Sequence, residues 1–149
     1  MDKDNPKAPN ARGLQVVAAA ILGAPVAYAV VGTALVSMKI LTAEPIIPPD
    51  RVSGVGLVLI LIGVFAAAAS FLVRRVIAPR ILIQDQSVFG RFRITIISMA
   101  VAESAGVIGL VYAILSQKLD VPFVLWGISL AASIGHFPTR AWLEGGSGK

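Results

Sequence analysis

Cysteine is absent from this chain, and histidine occurs once, as His136. The first absence removes disulfides, thiolate nucleophiles and cysteine metal sites. The second removes imidazole clusters for a metal and leaves a hydrolytic triad without a plausible base. Charge is scarce too: only 14% of the 149 residues are charged and 7% are aromatic. So little charge is foreign to a soluble domain. The arginines lack an accompanying set of stacking aromatics, so nucleic acid is not an expected partner. Gly54-Val55-Gly56 has neither a following lysine nor a preceding strand and is no phosphate loop. No catalytic constellation remains, and no cofactor or metal site is implied apart from an ion on a carboxylate.

What the sequence has in quantity is apolar residues, 56% of the total, gathered into long runs. The expectation is an all-α membrane protein, four transmembrane helices in an antiparallel bundle, with spans at about 14–41, 54–77, 94–115 and 121–137. The membrane domain, 14–137, is flanked by an arm over 1–13 and a tail over 138–149. The arm, MDKDNPKAPNAR before Gly13, is polar and holds two prolines, so a cleavable signal is not expected. The closing LEGGSGK reads as an appended linker and carries no argument.

Within the first span, Pro25 removes the bond to the Ile21 carbonyl and should kink the helix. Gly23, Ala27 and Gly32 there, and the small run from Ala66 to Ser70 in the second span, offer surfaces for close helix packing. Residues 42–53, with three prolines, form a loop; residues 78–93 form a polar hinge; Ser116 to Asp120 make a turn; Pro138 ends the last span. Tyr112, Trp126 and Trp142 read as interface or packing aromatics, and His136 as an interfacial residue at the end of the last span.

Orientation follows from the basic residues. Ten of the thirteen lie in the arm, the second connection and the tail: Lys3, Lys7, Arg12, Arg74, Arg75, Arg80, Arg91, Arg93, Arg140 and Lys149. Only Lys39, Arg51 and Lys118 lie on the other side. The positive-inside rule then puts both termini in the cytoplasm, in a bacterial or organellar inner membrane. A net charge of +5 at that rim would meet anionic lipid.

The third span, Ile94 to Leu115, carries one carboxylate, Glu103. Twenty-two residues at helical rise cover about 33 Å against roughly 30 Å of hydrocarbon, so Glu103 falls near the midplane. A charge there costs at least about 2.5 kcal/mol unless a partner, a proton or a cation satisfies it. Its own helix face, with Met99, Ala100, Gly106, Val107 and Leu110, offers no basic residue. Tyr28, Thr33, Ser70, Ser129 and Ser133 are the hydroxyls that could reach it from other spans.

Ala102-Glu103-Ser104 followed by Gly109-Leu110-Val111, after the basic polar loop QDQSVFGRFR, resembles the ion-carrying helix of the rotary ATPase c subunit. That resemblance implies that Glu103 binds H⁺ or Na⁺, that Ser104 supplies a neighbouring oxygen, and that the chain is a homo-oligomer or sits among other membrane subunits. Gly106 and Gly109 would then serve helix packing. Two other readings stand beside it. Glu103 could be an interhelical hydrogen bonder in an accessory or scaffold subunit, or the chain could be a small multidrug-type transporter, although those carry their carboxylate in the first helix.

Overall fold

The computed structural model describes residues 11–41, 44–48 and 50–143. Residues 1–10 of the expected arm and 144–149 of the tail, with Lys3, Lys7 and Lys149, lie outside the described residues. Helices α1 (Ala11–Leu22) and α2 (Ala24–Ser37) together make the first apolar rod. The break falls at Gly23, just before Pro25 in the first turn of α2, because the pyrrolidine ring clashes with the backbone of the preceding turn. Lys39, with φ at 50°, ends this rod in the left-handed region.

Helix α3 (Val52–Leu72) runs without a charged residue into a π-helical turn, Val73–Ile77, and on through α4 (Ala78–Gln84). The helical path therefore continues seven residues past the expected end at Ile77. Helix α5 (Val88–Ser116) in turn begins six residues before Ile94. The expected hinge over 78–93 contracts to three residues. Pro79 is tolerated because it sits in the first turn of α4. Ser87 caps α5: its hydroxyl accepts from Gly90 N at 3.2 Å, while Asp85 Oδ1 accepts from Ser87 N at 3.0 Å. Gly90 has to be glycine here, since a Cβ would collide with the Asp85 carbonyl oxygen.

Helix α5 ends with Gln117 at φ 53° and its N–H on the Ala113 carbonyl. Ile46 and Ile47 donate to the Leu115 carbonyl at 2.9 and 3.2 Å, so the first loop folds over this end. Helix α6 (Asp120–Gly135) and the short α7 (Arg140–Leu143) are the last described elements. No strand occurs among the described residues.

Three helical rods, Ala11–Ser37, Val52–Gln84 and Val88–Ser116, are long and apolar enough to cross a membrane, as an integral membrane protein requires. Helix α5 is the most enclosed of them and packs against α6, α3 and α2. Small residues make those contacts possible: Gly56 meets Val121 and the Tyr112 hydroxyl, Gly63 meets Leu125, and Gly32 meets Trp126. One apolar cluster joins Leu14, Ala18, Phe92, Met99 and Leu143; a second joins Val52, Tyr112, Val121 and Leu125. The two lie near opposite ends of α5 and leave its centre to the small residues around Glu103.

Candidate functional site

Glu103 lies fifteen residues after the start of α5 and thirteen before its end, about 20 Å from either one. Its side chain is half-buried. Tyr28, from the middle of the first rod, donates its hydroxyl hydrogen to Glu103 Oε1 at 2.6 Å. Of the five hydroxyl residues that could reach Glu103, this is the one that bonds to it. Oε2 has no hydrogen-bond partner among the described residues.

Ser104 stands beside Glu103 on a shallow groove of about 430 Å³ lined by Ala100, Val107 and Ile108. The Ser104 hydroxyl donates to its own helix, to Val101 O at 2.7 Å, so what it can offer a ligand is a lone pair. The site thus brings together one carboxyl, one phenol and one hydroxyl, in otherwise apolar surroundings.

Gly106 sits one turn along α5 and lets the other helices approach. A Cβ there would lie 3.1 Å from Ser129 Oγ and 3.2 Å from Tyr28 Cδ2. Its carbonyl accepts from Trp126 Nε1 at 3.1 Å. Ser129 Oγ is buried beside it without a hydrogen-bond partner among the described residues. Gly109 faces Leu125 and Trp126. Ala66 is half-buried on α3. Gly23 faces the Ala19 and Ala20 carbonyls of its own turn, where its smallness serves the break before Pro25.

Ser70 is engaged elsewhere. Its single hydroxyl hydrogen goes to Ala67 O at 2.6 Å, so the His136 ring donates from Nε2 to Ser70 Oγ across 2.8 Å. His136 is fully buried against Phe71, with ring centroids 4.3 Å apart. The last turn of α6 carries the imidazole into the seam with α3, and that pairing has no signature in sequence spacing. The Trp126 bond to the Gly106 carbonyl was equally invisible, although an indole N–H within an apolar run signals that some acceptor must exist.

Outside the long apolar stretches, hydrogen bonds from the Ser87 hydroxyl and backbone N–H, aided by Arg93, hold Asp85 below the usual carboxylate range. Comparison with protein families, with curated sequences and with solved structures finds no match for this chain.

Proposed function

We propose that the chain is one subunit of a larger membrane assembly, inserted as four antiparallel spans with both termini on the cytoplasmic side of an inner membrane. In it Glu103 binds and releases a proton, as the resemblance of α5 to the c-subunit helix implies. The observation that carries this reading is the state of the carboxyl. It sits at the centre of the most enclosed apolar helix, one oxygen is fixed by Tyr28, and the other is unpartnered beside a groove. An ionisable group at that depth is a functional candidate in its own right.

The donor set favours a proton over Na⁺. A hard cation gathers several oxygens, and Glu103, Tyr28 and Ser104 supply few; a proton needs one. The fourth span is α6 with the turn that follows it. Helix α6 covers sixteen residues, about 24 Å, and the turn to α7 would make up the rest of the crossing. The outward position of the groove supports assembly, since a second copy or another subunit seated on Ala100, Val107 and Ile108 would seal the carboxyl from lipid.

A second reading, a non-catalytic scaffold subunit, draws on the same Tyr28 bond, which ties the first rod to α5. Dicyclohexylcarbodiimide separates the two. On the unassembled chain the groove is open to an apolar carbodiimide, so labelling of Glu103 alone decides nothing. A carrier's labelling slows as pH rises, and a packing carboxyl's does not. Glu103→Gln supplies the functional arm: carriage predicts an assembled protein without proton flux in vesicles, while an assembled Gln variant with undiminished flux would defeat the proposal.

A further inference from the structure

Far from Glu103, where α3 ends, α5 begins and α6 ends, two guanidinium groups gather on one indole. Arg74 lies in the π-helical turn, an irregularity that recurs at functional positions. Its guanidinium carbon is 4.6 Å from the centre of the Trp142 ring, and its Nη1 donates to Gly135 O at 3.4 Å. Arg91 approaches the same ring at 5.6 Å, and its Nη1 donates to Trp142 O at 3.5 Å.

Neither arginine is ion-paired with a carboxylate among the described residues, where the ion pair found is the exposed Asp50–Arg51 contact. Two hydrogen-bond donors in this cluster, Arg91 Nε and Trp142 Nε1, are buried without an acceptor among the described residues. Buried donors left unmet are costly and rare, and like charges gathered without a counter-charge are unfavourable. One oxyanion would answer both deficits. Its oxygens accept from the indole and the guanidinium groups, and its charge offsets theirs.

The surroundings indicate which anion. Between α3 and α6 runs an apolar groove of about 360 Å³ lined by Val64, Ala67, Phe71, Ile128, Ala131 and Ala132. Phe71 stands three residues before Arg74, on the same side of the helix, so the groove leads to the basic cluster. Val64 to Arg74 covers about 15 Å of helix, enough to seat much of an acyl chain. We infer that this end of the protein binds an anionic phospholipid, its phosphate on Arg74, Arg91 and Trp142 Nε1 and one acyl chain in the groove between α3 and α6. A soluble phosphate shares the headgroup chemistry and has no use for the groove. The inference needs the membrane setting and is independent of what Glu103 does.

The test is lipid retention by the full chain in detergent micelles, read by native mass spectrometry with phosphatidylglycerol, with phosphatidylcholine, and with inorganic phosphate as competitor. Wild type retains phosphatidylglycerol in preference to phosphatidylcholine, and Arg74→Gln with Arg91→Gln weakens that retention by about tenfold. Arg75→Gln with Arg80→Gln removes the same charge from exposed positions outside the cluster and changes retention by less than about twofold. Equal loss in both double variants would reduce the effect to diffuse surface charge and overturn the site. Unchanged retention in the Arg74 and Arg91 pair overturns it as well. Displacement of the lipid by millimolar inorganic phosphate would reassign the cluster to a soluble phosphate. If the Arg74 and Arg91 variant does not fold, the wild-type melting temperature decides. Phosphatidylglycerol raises it above the value in phosphatidylcholine, and equal values refute the inference.

Discussion

Tyr28→Phe isolates the bond on which the carboxyl site depends. It deletes one hydroxyl and keeps the ring, so the contact of Tyr28 Cδ2 with Gly106 survives while Glu103 Oε1 loses its donor. The size of the loss depends on what Glu103 is. Interhelical hydrogen bonds within membranes are worth about 0.6 kcal/mol on average and about 1.7 at most, whereas a charged acceptor raises a hydrogen bond to roughly 1.5–3 kcal/mol. With the ionised carboxylate as acceptor, the bond belongs to the stronger of these two classes. Tyr28→Phe should therefore cost about 1.5 kcal/mol in the wild-type background, a tenfold change in the unfolding equilibrium. In the Glu103→Gln background, where the acceptor is a neutral amide oxygen, it should cost about 0.6 kcal/mol. Reversible unfolding of all four proteins in mixed micelles, arranged as a double-mutant cycle, measures the difference. A cost below about 0.3 kcal/mol in both backgrounds would mean that the bond does not form in the membrane, and the site would lose its anchor.

Two further predictions concern packing and pH. Gly63→Ala should destabilise the chain by about 1–3 kcal/mol, since the added methyl would lie 2.5 Å from Cδ2 of the fully buried Leu125. Gly127→Ala, which meets nothing within 4 Å, should stabilise by up to about 1 kcal/mol through helix propensity; the same unfolding assay reads both, and equal effects would refute the packing argument. Asp85 is held below the usual carboxylate range, so its contribution to the α4–α5 corner is fully present above the ordinary Asp value of about 3.9 and is lost as pH falls through the lower folded value. Amide protection from Ser87 to Gly90, corrected for intrinsic exchange, should drop in that acid window in wild type and show no such drop in Asp85→Asn.

How much of this was legible in the sequence divides along physical lines. Long apolar runs announced helices, and Pro25 announced the break in the first rod, because both are local effects of backbone and side chain. The helical rods and the expected spans differ at their ends: the second rod runs on through α4 to Gln84 and α5 begins before Ile94, while the first rod stops at Ser37 and α6 at Gly135. Apolarity marks where hydrocarbon lies, whereas a helix continues as long as its backbone bonds are satisfied, and Arg74, Arg75, Arg80, Arg91 and Arg93 all have good helix propensity. The signals that fix the real corner are small ones, the Ser87 cap and the glycine at position 90, both within a stretch whose polarity suggested a loop.

Glu103 could be singled out from sequence because a lone carboxylate in an apolar helix is conspicuous against its surroundings. Its partner could only be narrowed to a handful of hydroxyls, since the choice rests on the rotation and depth of α2 relative to α5. Those are set by contacts such as Gly32 against Trp126 and Gly106 against Tyr28, none of them encoded in spacing along one helix. The cluster around Trp142 was harder still to read. Arg74, Arg91 and Trp142 are each ordinary residues in sequence, and they acquire chemical meaning only when three separate helix ends converge and leave two buried N–H groups without acceptors among the described residues. A group that contrasts with its own segment is readable one-dimensionally; a group defined by what it fails to find in three dimensions is not.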